Sequence, residues 1–125
     1  MPVTWELDPG RKRLTLTVLD PHTFEEWHQA VTEIFRSEFG PGYNALVDRR
    51  QAEAPTALDI ERMARFYEGH KARLVGVRVA TLVSTPVSYG MARMMAVYAE
   101  MRAGYELEIF HQDAAAEAWL EHGPS

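Results

Sequence analysis

Two successive arginines, Arg49 and Arg50, follow Asp48, and Thr56 lies just downstream where an apolar-periodic run begins; Ser84 and Thr85 precede another such run. Guanidinium groups are forked donors, and a helix that starts at a Ser/Thr cap presents free amides. Asp48, Arg49, Arg50, Thr56, Ser84 and Thr85 are therefore candidates for holding an anion or docking a protein partner. In the plainer alternative the threonines only cap helices and the arginines are solvated. A second group is apolar: Met91, Met94, Met95, Tyr98 and Met101 recur at helical spacing. Methionine adapts its shape to varied apolar partners. With Phe66, Tyr67 and Tyr89, the residues Met91, Met94, Met95 and Tyr98 could line a site for a lipid-like ligand. Core packing or a homodimer contact is the other reading of the same stripe.

Other chemistries lack their residues. There is no cysteine, so disulfides, thiolate catalysis and cysteine-based metal centres drop out by counting. His22, His28, His70, His111 and His122 never fall in the HxxxH or HExxH spacing, and no metal site is expected. His111 with Asp48 could do general-base work only if the fold brings the pair within hydrogen-bonding reach, and a small hydrolase-like enzyme would use His22 or His111. No G-x-G-x-x-G, Walker A, G-x-S-x-G or paired-carboxylate motif occurs, so neither an enzyme nor a bound cofactor finds support. Eighteen acidic against thirteen basic residues, a formal charge of -5, speak against nucleic acid as a partner.

The elements that must position these residues follow from periodicity and punctuation. The 125 residues, 46% of them hydrophobic, suit one soluble domain over 1–125. Val3 to Leu7 and Arg13 to Leu19 predict a hairpin around Asp8-Pro9-Gly10. Thr23-Phe24-Glu25-Glu26 has the form of a capping box, and Phe24, Trp27, Val31, Ile34 and Phe35 make one helical stripe. A strand is expected over Asn44 to Asp48, with Arg49 to Pro55 too polar to continue it. A helix follows Thr56, a buried strand Val75 to Val83, and a helix from Thr85-Pro86 to about Ala103. Tyr105 to Phe110 and a helix capped by Asp113 complete the chain. Asp20 and Thr85 are further cap candidates. Arg78, inside a buried strand, should need Asp48, Glu106 or Glu108 beside it, or an exposed interface. The order β-β-α-β-α-β-α-β-α predicts an α/β fold: a five-stranded, mixed, mainly parallel sheet with an N-terminal hairpin and four helices. The longest stretch free of charged residues, Val79 to Ala92, is too short for a membrane span. Met1-Pro2-Val3-Thr4-Trp5 carries no signal-peptide pattern, and a cytoplasmic location is expected.

This order and spacing resemble the STAS domain family. They are more closely similar to a bacterial branch of SpoIIAA-like, STAS/SEC14-type proteins, through Trp5-Glu6-Leu7, Thr23-Phe24-Glu25-Glu26, Asn44-Ala45-Leu46-Val47-Asp48, Val77-Arg78-Val79-Ala80 and the Asp113 to Leu120 helix. The resemblance implies a SpoIIAA-like fold and a non-catalytic regulatory or protein-binding module, with Asp48 in the place of the family's strand-closing aspartate. The Asp-Ser pair of the family's phosphorylation switch is absent here. Thr56 is the one hydroxyl near that helix start, where a phosphate would meet a helix N-terminus and two upstream arginines. The SEC14-type relationship also admits a carrier or sensor of a small apolar, lipid-like or anionic ligand.

Overall fold

In the computed structural model, which describes residues 2–122, the alternation of Leu14, Leu16 and Val18 with Arg13, Thr15 and Thr17 forms strand β2 (Arg13–Leu19). Met1 and residues 123–125 of the expected domain lie outside the described residues. Strand β1 (Val3–Asp8) pairs antiparallel with β2, from Val3↔Val18 to Asp8↔Arg13. Between them Lys12 takes a positive φ of 55°, and the Asp8 carboxylate accepts the Arg11 amide at 3.2 Å. Helix α1 (Phe24–Arg36) starts at the expected capping box: Thr23 Oγ1 accepts the Glu26 amide at 3.1 Å, and the Glu26 carboxylate accepts the Thr23 amide at 2.8 Å.

Strand β3 (Asn44–Gln51), helix α2 (Ala57–Glu68), strand β4 (Arg78–Leu82), helix α3 (Pro86–Tyr98), strand β5 (Glu106–Phe110) and helix α4 (Asp113–His122) follow in order. The five strands lie side by side in chain order. The first pair is antiparallel and the others are parallel, which is the expected α/β architecture. β1 and β5 are the borders.

The sheet has two unequal cores. On one face Leu14, Leu16, Val18, Ala45 and Val79 pack under the aromatic and aliphatic stripes of α1 and α2 and under Met95 of α3. On the other, Ala80 and Leu82 meet Ala116 and Leu120 of α4, with Leu46, Phe110 and Trp119 at the edge. Polar residues pin α4 in place. The buried Arg13 donates to Asn44 Oδ1 at 2.9 Å and to Glu117 at 2.7 Å, while Asn44 Nδ2 donates to the Leu120 carbonyl at 3.0 Å. The unpaired carbonyls of a helix end are thus met by side chains from the sheet.

Several boundaries differ from expectation. β3 continues past Asp48 to Gln51, because a register shift between Thr17 and Leu19 lets Leu19 pair with Gln51. β4 begins at Arg78, since Gly76 (φ 77°) and the exposed Val75 belong to a turn. α3 gives way at Tyr98 to a π-type turn, Ala99–Ala103, closed by Gly104 in the left-handed region at φ 71°. Arg78 has no carboxylate partner among the described residues. Its guanidinium stacks on Trp119, 4.4 Å from the ring centroid, and donates to the Trp119 carbonyl.

The methionine stripe divides. Met95 is buried, Met91, Met94 and Tyr98 pack partly buried at the margin of the core, and Met101 is 77% exposed. Met95→Ala is expected to cost about 2–5 kcal/mol in urea unfolding, and Met101→Ala no more than about 0.5 kcal/mol.

Candidate functional site

Extending β3 by three residues sets the fate of the two arginines, because side chains alternate between sheet faces. Arg50, on the α4 face with Asp48, commits four of its five N–H groups to carboxylates. It donates to both Asp48 carboxylate oxygens at 3.0 and 2.8 Å and to both Asp113 oxygens at 3.0 and 3.2 Å. These hydrogen bonds raise the Arg50 pKa above its ordinary value. Hydrogen bonding from the Arg50 side chain, opposed in part by burial, holds the Asp48 carboxyl below its usual range. Asp113, expected as a cap, is the first residue of α4 and spends its carboxylate on Arg50.

The other residues of this edge are mostly occupied within the fold. Ser84 Oγ donates to the Arg50 carbonyl at 2.8 Å. Thr56 Oγ1 accepts the Asp59 amide at 3.1 Å, and Thr85 Oγ1 accepts the Ser88 amide at 3.0 Å, so both threonines cap their helices. Asp20 caps nothing; it accepts the Glu53 amide and pairs with His22 Nδ1 at 2.9 Å. His111 is engaged elsewhere than at Asp48: its Nδ1 lies 3.2 Å from the Val83 carbonyl and its ring stacks near Tyr89. Among the described residues no group of three or more His, Asp or Glu could hold a metal ion. No helix there is long and apolar enough to cross a membrane.

Arg49 points the other way. It shares the face of Ala45 and Val47 and lines a cavity of about 90 Å³ that lies between the sheet and helices α1 to α3 and opens to the surface. Leu16, Trp27, Ile60, Met63 and Met95 contribute apolar wall, while Tyr67, Thr81, Ser88 and Tyr105 bring hydroxyls to it. The Tyr67 and Tyr105 rings meet edge to face, with centroids 5.7 Å apart. Burial pushes both phenols well above their ordinary pKa, so they are protonated donors at neutral pH. Burial also lowers the Arg49 pKa, with Tyr67, Asp20 and Asp59 opposing from a distance. The cavity is mostly apolar, and the polar groups on its wall can donate but hold no negative charge. It can receive an acceptor; it contains no nucleophile paired with a base.

Of the apolar candidates read from sequence, Met95 and Tyr67 line the cavity while Met91, Met94, Tyr98, Phe66 and Tyr89 do not, and Arg49, read as part of an anion site, joins them. Thr81, Ser88 and Tyr105 were missed, Tyr105 reading only as the first residue after a glycine. The available signal was the alternation Ala45, Val47, Arg49, which becomes visible once β3 is carried beyond Asp48.

Fold and cavity together define a small α/β domain with an internal, donor-bearing apolar chamber. No known protein family, curated protein or solved structure matches the chain.

The Asp48 ion pair carries a pH signature. A carboxyl depressed by folding stabilises the protein above its unfolded pKa of about 3.9, and that contribution is lost as pH falls through the lower folded value. Asp48→Asn should flatten the dependence of stability on pH below about 4 relative to wild type, as followed by urea unfolding across an acid series.

Proposed function

We propose that this chain is a non-catalytic binding domain, a carrier or sensor that takes up a small ligand with an apolar body in the chamber beneath α1, α2 and α3. The observation that carries this reading is the cavity itself, with its ready-made donors. A void of 90 Å³ costs about 2 kcal/mol when empty, at roughly 24 cal/mol per Å³. Native interiors hold few voids of that size. An occupant would recover the lost contacts, which links ligand uptake to stability.

The element order, N-terminal hairpin and terminal helix support placing the chain with SpoIIAA-like STAS domains. A lipid with long acyl chains does not fit this volume, so the reading is narrowed to small ligands. A partner-docking role over the Asp48 to Thr56 segment finds its support in the first turns of α2 and α3. There Leu58 is 68% and Val87 64% exposed, at the end of the sheet where Arg50 and Ser84 stand.

The test compares native with denaturing mass spectrometry on protein purified from its own host. A small extra mass that disappears on denaturation, and that is lost when Met95→Trp fills the cavity, is the expected result. A bare wild-type protein by both methods, with melting unaffected by extracts of the same cells, would overturn the carrier reading.

A further inference from the structure

We propose that Arg49, helped by the Tyr67 and Tyr105 hydroxyls, selects ligands carrying a single carboxylate head, and that the chamber restricts their tails to short aliphatic chains. The inference rests on the cavity reading above and adds the chemistry of the head group and the size of the tail.

Six arginines among the described residues are buried or partly buried: Arg13, Arg49, Arg50, Arg73, Arg78 and Arg102. Five have acceptors. Arg13 reaches Glu117, Arg50 reaches Asp48 and Asp113, Arg102 reaches Glu61 and Glu68, and Arg73 and Arg78 donate to backbone carbonyls. Arg49 has neither an ion pair nor a hydrogen-bond acceptor among the described residues, although burial alone is enough to depress its pKa. A partly buried guanidinium on the cavity wall that spends no hydrogen bond on the protein can give them to a ligand, and a carboxylate takes two in parallel.

The protein's own acids do not supply that carboxylate. Asp20 is taken by the Glu53 amide and His22, and Asp59 lies 3.7 Å from Arg62. Their charges reach Arg49 only at range. One cation then faces the chamber, accompanied by neutral donors, so a monoanion is balanced and a dianion is not. Asp20 and Asp59 add repulsion against a second negative charge.

Volume sets the tail. The chamber of 90 Å³ is smaller than the roughly 150 Å³ apolar cavity that takes benzene, and amounts to about three water-sized volumes. With the head at Arg49, on the partly exposed rim, the interior accepts about three to five carbons. Straight or branched monocarboxylates of about four to six carbons are the matching class.

Calorimetric titration with sodium carboxylates from acetate to decanoate, alongside xenon followed by the methyl resonance of Met95, tests this directly. Affinity should peak near pentanoate. Arg49→Met should weaken pentanoate binding by about tenfold or more and leave xenon binding intact. Arg49→Gln, which keeps a polar side chain at the rim, serves as a second variant with the same expected loss. Tyr67→Phe and Tyr105→Phe should each lower affinity several-fold. Equal pentanoate binding by wild type and both Arg49 variants would overturn the head-group assignment, as would xenon binding with no carboxylate binding. Absence of both ligands from the wild-type protein would remove the cavity reading as well.

Discussion

The alternation of side chains along β3 is the constraint on which the rest of this structure depends. The strand lies third of five, covered by three helices on one face and by α4 on the other, so successive residues enter different environments. Ala45 and Val47 are small enough to leave space beneath the helices, and Arg49 closes that row. Leu46, Asp48 and Arg50 occupy the opposite row and tie the strand to α4 through Asp113. A slip by one residue would exchange the two sets, placing a carboxylate in the apolar chamber and leaving α4 without its anchor.

Charge is distributed by the same logic. α4 is short and its apolar stripe is narrow, yet it covers the second face because the sheet offers it directed contacts: Arg13 to Glu117, Asn44 to the Leu120 carbonyl, Arg78 over Trp119. These groups do for the C-terminal part of the helix what a larger apolar face would otherwise have to do. The three-helix face has the opposite character. It is rich in tilted and edge-to-face ring pairs, from Phe24 and Trp27 through Phe35 and Phe66 to Tyr67 and Tyr105, and its cavity takes in a single guanidinium, that of Arg49. This is the side on which the cavity lies.

The order of elements was legible because local chemistry marks it: the Asp8-Pro9-Gly10 turn, the Thr23/Glu26 box, Thr85-Pro86 at the head of α3 and Gly104 at its end. These are short-range signals, and short-range physics settles them. The end of β3 was not legible, since Asp48-Arg49-Arg50-Gln51 looks like a loop by composition and becomes a strand only through pairing with β2 and the Asp48–Arg50–Asp113 network. The two arginines appeared as one anion-binding pair for the same reason; the pleat separates them. From sequence Arg78 asks for a carboxylate, but its stacking on Trp119 exists only after α4 has docked. Likewise, no described residue accepts a hydrogen bond from the Arg49 side chain, and that is a property of three dimensions that no spacing encodes.

The sheet is open rather than closed into a barrel, and both of its borders carry acids. Thr4, Glu6 and Asp8 are exposed along β1, and Glu106 and Glu108 along β5. An antiparallel union of two β5 strands centred on Glu108 would set that carboxylate against its own copy, and the like charges would push the strands apart. Four acidic side chains, Glu6, Asp8, Glu106 and Glu108, therefore stand where strand-to-strand growth would begin, a placement that opposes edge-to-edge pairing.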